Sequence, residues 1–339
     1  MRSAAILGTG LIGTSIGLAL RAGGWHVVGW DPDKSIGERA LERGGLDELV
    51  ATTQAACEGP LDLVVFAGPP AAAVEFVSRS GIPWLTIDTA GAKGAITDAS
   101  NLARFVGTHP MAGREVSGPE AATESLFNGA TWVLTTDGAS EADLSEVESI
   151  VAATGARPMR MTAAEHDSAV AAISHLPQML AASLVGLAAD DATALRLAAG
   201  SFRDLTRVAG SDSKLWLEVL MANRADVLDA VARLQDRLGN LAALLGDNDI
   251  DSLAAHLDEA RDVRRSLAAR ATAVRIALAD RPGELAKVGA ALSAAKADVR
   301  DIQLRHAPYG GGGVLTISVR PGDAATLADA ILAAGLVLA

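Results

Sequence analysis

The sequence predicts three successive folds: a doubly wound parallel α/β sheet over residues 1–161, an all-helical segment over 162–271, and a small α+β unit over 272–339. Three observations carry this. Short apolar runs alternate with helical patterns in the first part, strand signals vanish in the second, and they return in the third around a glycine-rich turn. Alternating strands and helices build parallel sheets, because each crossover needs a helix to bring the chain back to the sheet. With half of its 339 residues apolar, the chain has material for two or three buried cores.

The first strand is the apolar run 4–7, bounded by glycine and without polar alternation. Gly8, Gly10 and Gly13 follow, with Thr9, Leu11 and Ile12 between them, at the spacing G-x-G-x-x-G. The first glycine permits a tight turn, the second lets backbone approach a pyrophosphate, and the third lets helix pack closely on strand. The helix beyond offers free N–H groups and a positive dipole end to phosphate. A second strand, 26–30, ends at Asp31, eighteen residues past Gly13. A carboxylate there accepts from ribose hydroxyls and repels a 2′-phosphate, so this Rossmann fingerprint points to NAD over NADP. Pro32, Asp33 and Lys34 follow Asp31, and no arginine stands there to welcome an extra phosphate. The bland alternative is an ordinary βαβ turn.

Further strands are expected at 61–67, 84–88, 104–108 and 131–135, a helix at 141–154 and a last strand near Met159, all in the parallel sheet. The span 163–186 is helical in pattern, and Pro177 removes the bond to the Ile173 carbonyl, so a kink is expected. Val227, Val231, Leu234, Leu238, Leu241 and Leu245 recur at spacings of four and three. That seam suits helix-on-helix packing and predicts a homodimer through the helical domain, with packing within one chain as the alternative. Asp249 or Asp251 can cap a further helix running to Arg270. The tail reads as a strand 273–279, a helix 284–295, a hairpin of 299–306 and 314–320, a helix 326–334 and a strand 336–338. This βαββαβ order is the ferredoxin-like arrangement.

Composition excludes several classes of function. A net charge of −12 leaves no basic stripe to displace counterions, so no nucleic-acid partner is expected. The one cysteine, Cys57, cannot form an intrachain disulfide and fits a reducing compartment. It has no Cys/His cluster around it, and no metal site is expected. No leader-like segment precedes the first strand, and no apolar run reaches the ~18 residues of a membrane helix. A cytoplasmic chain with no membrane partner is therefore expected.

Chemistry-bearing residues concentrate in four stretches. In Gly107-Thr-His109-Pro-Met-Ala-Gly113, followed by Glu115, the histidine ends an expected sheet strand at the crevice mouth. An imidazole there can take a hydroxyl proton while hydride leaves the same carbon, or it can merely bond a loop. In Ser174-His175-Leu-Pro-Gln178, His175 and Gln178 share one helical face beside the kink. Arg203-Asp-Leu-Thr-Arg207 offers guanidinium forks that suit a carboxylate ligand. Ser211-Asp212, Lys214 and Trp216 complete the set.

In family order, these pieces and the nucleotide fingerprint resemble the prephenate/arogenate dehydrogenases, the oxidative decarboxylases of tyrosine biosynthesis. The resemblance covers nearly the whole chain. It implies that His109 bonds the ring hydroxyl and accepts its proton as hydride passes to NAD, after which CO2 leaves and the ring becomes aromatic. It implies that Arg207 holds a substrate carboxylate, that Glu115, His175 and Gln178 shape the pocket, that Trp216 walls it near a dimer interface, and that Lys93 lies near the cofactor edge. Two positions depart from the pattern. Gly91 stands where many relatives carry a serine that helps orient the histidine, leaving a water, Thr89 or Thr108 as substitutes. Gln178 stands where many prephenate-using relatives have a second histidine, which leaves prephenate, arogenate and a 4-amino analogue open.

The tail resembles an ACT-type amino-acid-binding regulatory domain, with Asp280, Pro282, Gly283 and Leu285 in the matching turn, and implies tyrosine as effector. Two rival readings are weighed against this one. A 6-phosphogluconate or 3-hydroxy-acid dehydrogenase would use a helical lysine as acid/base, and the helices here are lysine-poor. A catalytically silent NAD and amino-acid sensor would have no use for His109 together with Arg207.

Overall fold

The computed structural model describes residues 1–79, 81–113, 118–268, 272–306 and 312–339. They divide into two compact units, Met1–Asp236 and Arg237–Ala339.

The first unit is built on six strands, β1 (Ser3–Leu7), β2 (His26–Trp30), β3 (Glu48–Leu49), β4 (Leu63–Phe66), β5 (Thr86–Asp88) and β6 (Phe105–Val106). They form one parallel sheet in the order β3-β2-β1-β4-β5-β6. Side chains along β1 and β4 alternate between two cores. Ala4, Ile6, Leu63 and Val65 face one, while Ala5, Leu7, Val64 and Phe66 face the other. Covering both faces is why these strands read as unbroken apolar runs. The strand order reverses between β1 and β4, which opens a crevice at their carboxyl ends, where open α/β sheets bind ligands.

The expected strand 104–108 divides at Gly107. A side chain there would meet Thr135 Oγ1 at 2.6 Å, and the Gly107 carbonyl accepts from the Thr135 N–H at 2.8 Å. Beyond it the chain enters a separate three-stranded sheet, β7 (Thr108–Pro110), β8 (Thr131–Thr135) and β9 (Arg157–Met161). β7 runs antiparallel to β8, so His109 belongs to this second sheet and not, as expected, to the parallel one.

The helix Ala163–Val170 passes into a π-turn, Ala171–His175, and resumes as Leu176–Ala189. Pro177 sits in the first turn after the π segment, so the widened ladder absorbs the bond that proline cannot make. Contrary to the expectation of no such run, Ala163–Ala189 is long and apolar enough to cross a bilayer by length and composition. In this fold it instead buries His166, Asp167, His175 and Gln178, and Asp167 accepts from the backbone N–H groups of Lys93 and Gly94. Helices Ser213–Ala222 and Arg224–Gly246 follow, broken at Asn223. Along the apolar seam Val227 is buried, but Leu238 is 52% and Leu245 65% exposed.

In the second unit Asp249 caps the helix Ile250–Ala268 through the Ser252 N–H at 3.1 Å. Strands β10 (Thr272–Leu278), β11 (Val299–His306), β12 (Gly313–Val319) and β13 (Val337–Leu338) form an antiparallel sheet in the order β11-β12-β10-β13. Helices Glu284–Ala295 and Ala324–Ala333 bury Val288, Leu327 and Ile331 against Ile276 and Ile317 of that sheet. Asp280, Pro282, Gly283 and Leu285 lie at the turn into the first of these helices, with Gly283 at φ +91°. Most of the glycine-rich turn, residues 307–311, lies outside the described residues.

Candidate active site

The glycine loop has the geometry of a phosphate cradle. Gly8 stands at φ +96°, and a Cβ on it would lie 2.7 Å from the Ala67 carbonyl oxygen. A Cβ on Gly13 would lie 1.9 Å from the Gly8 carbonyl oxygen, so only glycine lets the helix Leu11–Ala22 seat this closely. Gly10 meets nothing within 4 Å and leaves its backbone open to a ligand. Asp31 ties the loop down: its Oδ2 accepts from the Thr9 N–H at 2.7 Å and the Thr9 hydroxyl at 3.1 Å. Beside it lies a cavity of about 230 Å³ lined in part by Trp30, Pro32, Phe66, Pro69 and Phe76, the two phenylalanine rings stacked at 5.0 Å. A flat apolar slot next to free helix N–H groups and a ribose-reading carboxylate fits an adenine dinucleotide. Gly8 to Gly13 and Asp31 would hold it. The slot was missed in the sequence, although Trp30 and Phe66 are the last residues of strands β2 and β4 and Pro69 caps the helix after β4, where a ligand would meet them.

His109 is held from two sides. On one side, the fully buried Lys93 ammonium donates to Asp88 and, at 2.7 Å, to the Thr108 carbonyl. Asp88 also accepts the Thr108 N–H at 3.2 Å, so this buried pair staples the end of β5 to the strand that carries His109. Burial lowers the lysine pKa while Asp88 opposes that shift. The charged end of Lys93 thus points into the protein.

On the other side, His109 Nδ1 lies 2.9 Å from His166 Nε2, and His166 Nδ1 lies 2.7 Å from Asp167 Oδ1. Burial, followed by the neighbouring His166, Lys93 and His175, holds the His109 imidazole well below the ordinary histidine range. Burial pushes the Asp167 carboxyl up, but His166 and the Gly94 and Lys93 backbone outweigh it and hold it low. The opposite edge of the His109 ring faces Gly91, where an added Cβ would stand 3.6 Å from Cε1 and 3.7 Å from Nε2. Nothing on Gly91 itself covers the nitrogen that would receive a proton.

Around this centre, Asn223 Nδ2 donates to the Asp167 carbonyl at 2.8 Å and to His175 Nδ1 at 3.2 Å. The Trp216 ring meets His175 edge-on with centroids 6.2 Å apart. Gln178 is buried, and its Oε1 has no hydrogen-bond partner among the described residues. Arg207 opens the 3-10 turn Arg207–Gly210, which packs on the helix Leu176–Ala189. Glu115 lies outside the described residues. His109, His175 and Trp216 thus share one network with His166, Asp167 and Asn223, three residues not singled out from sequence. Their signal was present: His166 and Asp167 interrupt an apolar helix directly after the Thr162–Glu165 capping box.

Residues 16–160 match the family model for the prephenate dehydrogenase nucleotide-binding domain, and residues 162–259 match that for the prephenate dehydrogenase dimerization domain. NovF of Streptomyces niveus, named a "probable prephenate dehydrogenase", is 34% identical over 96% of each chain. This chain belongs to the prephenate dehydrogenase family. Among solved structures, that of the Aquifex aeolicus prephenate dehydrogenase in complex with hydroxyphenyl propionate and NAD+ aligns with a TM-score of 0.73 at 26% identity, covering 79% of this chain and 98% of that one. The Synechocystis arogenate dehydrogenase aligns with a TM-score of 0.69 at 27% identity, covering 78% and 99%. Family membership makes the chain an NAD-dependent oxidoreductase with a Rossmann sheet and a helical dimerisation domain.

Proposed function

We propose that the chain converts prephenate to 4-hydroxyphenylpyruvate and CO2 with His109 as the base. The observation that carries this is the His109 ring, gripped at Nδ1 by His166 while Nε2 opens beside Gly91 at the carboxyl end of the parallel sheet. NAD, when bound, takes the hydride from ring carbon C4 of the substrate. His109 bonds the C4 hydroxyl and draws its proton as the C–H pair departs. The ring carboxylate leaves as CO2, the electrons of its C–C bond enter the ring, and the oxygen recovers its proton from His109 as a phenol. Burial keeps the imidazole neutral and ready to accept. Lys93 and Asp88 hold its strand in place.

Arg207 is assigned to a substrate carboxylate, with Glu115, His175, Gln178 and Trp216 as the remaining pocket residues. A second reading rests on Gln178. A buried carbonyl oxygen without a partner among the described residues is an acceptor awaiting a donor, which favours the ammonium of arogenate over the keto group of prephenate.

The same proposal divides the chain into a nucleotide-binding domain (1–161), a helical substrate and dimerisation domain (162–271) and an ACT-like domain (272–339). The antiparallel sheet with its two helices and the Asp280-Arg-Pro-Gly283 turn support the last, with tyrosine as effector. A cytoplasmic setting fits the lone thiol of Cys57, which burial pushes up to about 11 and so keeps protonated.

One assay tests these readings: NADH formation from prephenate and from arogenate, with and without tyrosine. His109→Asn should lower turnover about 10²- to 10⁴-fold while NAD still binds. Near-normal turnover in that variant would remove the base assignment, and indifference to tyrosine would remove the effector.

A further inference from the structure

Gly91, which faces the His109 ring, has no hydroxyl with which to orient it. Thr108 cannot supply one: its hydroxyl donates to the Asp88 carbonyl at 2.5 Å and accepts from Trp132 Nε1 at 3.0 Å. Its one proton is spent inside the core, and its oxygen is turned toward Trp132. We propose that His166 and Asp167 form a relay that fixes the tautomer of His109, making both of them positioning residues for the reaction. This deepens the assignment of His109 as base and rests on it.

The chain of protons can be followed from its buried end. Asp167 Oδ1 accepts the Lys93 N–H at 2.8 Å, and Oδ2 accepts the Gly94 N–H at 2.7 Å. A carboxyl serving backbone donors on both oxygens is held as the anion. The His166 nitrogen 2.7 Å away must then carry a proton and donate it to Asp167. That leaves His166 Nε2 as a lone pair, 2.9 Å from His109 Nδ1. His109 donates there, so its own Nε2 is the unprotonated nitrogen, on the edge that faces Gly91. Without the relay, either His109 nitrogen could hold the proton, and the Nε2–H form has no lone pair to offer the substrate. When His109 takes a proton, the Asp167 charge stands behind it at one ring's remove, the logic of a base oriented by a third group.

Position in the fold makes the device rigid. His166 is 1% exposed, and the Thr162–Glu165 capping box fixes the start of its helix. Among the described residues, the groups facing His109 are His166 from that helix, His175 from the π-turn and Lys93 from the loop after β5. His166 itself meets Asp167 and His109 by hydrogen bonds and feels the nearby His175. Lys93 is neutralised by Asp88, so the charge that answers a proton arriving on His109 is that of Asp167.

The test uses the full-length enzyme with prephenate and NAD, comparing His166→Leu with His166→Gln, whose amide oxygen can still accept from His109 Nδ1. The Leu variant should lose about 10²-fold or more in kcat and shift the acid limb of its kcat/KM profile, with NAD affinity unchanged. The Gln variant should recover to within about tenfold of the parent, since an acceptor for the Nδ1 proton is restored. Nitrogen-15 NMR of histidine-labelled parent enzyme should show His109 in the Nδ1–H form, a readout that needs no variant to fold. An Nε2–H form in the parent, wild-type turnover in the Leu variant, or equal damage from Leu and Gln would each overturn the relay. If His109→Asn retained turnover, the base assignment itself would fall instead.

Discussion

The nucleotide-binding sheet and the helices of residues 163–246 solve the problem of apolar surface in opposite ways. The sheet buries one core on each face, and Ile6, Val65 and Ile87 on one side, with Leu7, Val64 and Phe66 on the other, lie almost wholly out of water. The helices gather a small core around Ala171, Val227 and Ala230, and leave Ile173, Leu187 and Leu197 more than 60% exposed. A sheet covered by its own crossovers is finished within one chain. A helical layer with this much exposed leucine suits burial against a second copy, in keeping with its match to a dimerization domain. The candidate site lies between them: its proposed base stands on β7 of the small three-stranded sheet, and the residues that hold that ring come from the helix that opens the helical segment.

The sharpest way to break this contrast is to charge the exposed seam. Leu238→Glu with Leu245→Glu should weaken dimerisation roughly hundredfold or more, since about 3 kcal/mol suffices for that and burying unpaired carboxylates costs at least as much. Analytical ultracentrifugation would show monomers at micromolar concentration, while NAD affinity stays near the parent value because the cradle closes within the sheet. A dimer that survives both charges would place the interface elsewhere. Loss of NAD binding along with the dimer would mean that the two regions are not separable.

What was legible in the sequence follows the same division. The parallel strands and the cradle from Gly8 to Asp31 could be read because local geometry dictates them: only glycine tolerates φ +96° at Gly8 and the close seat at Gly13. The break at Gly107 could not, because it depends on where Thr135 of a distant strand comes to lie. The burial of Lys93 was not legible for a related reason: only the fold brings Asp88 and the Thr108 carbonyl around its ammonium. The π-turn shows a partial success, with Pro177 signalling a disturbance but not its kind. His166 and Asp167 were passed over because a polar pair on a helix is ordinarily solvated, and only the tertiary pairing of that helix with β7 makes it part of the site.

On the sheet side, Asp31 offers a finer test. Asp31→Ala should lower NAD affinity about tenfold, the worth of a hydrogen bond to a charged group, and narrow the preference over NADP. Fluorescence titration with each nucleotide reads both quantities. Because Asp31 also ties the Thr9 N–H, thermal denaturation of the variant without nucleotide separates a loosened loop from a lost ribose contact. An unaltered NAD/NADP ratio would show that the carboxylate braces the loop and reads nothing.

The smallest effect lies where sheet and helices share the site. His109 and His175 are both held below the ordinary histidine value of 6.5, chiefly by burial. The unfolded chain therefore takes up protons near that pH which the folded chain refuses. Stability from these two groups is fully present above 6.5 and is lost as pH falls, with a slope of at most about 1.4 kcal/mol per pH unit for each histidine. Asp167, held below 3.8, has the same sign but adds its loss only at lower pH. Urea midpoints measured from pH 8 to pH 5 should decline, and His109→Asn should remove part of that decline while leaving the helical dimer intact. A flat profile in the parent would mean that water reaches both rings, which would reopen the base to solvent and undo the dry pocket on which its neutral form depends.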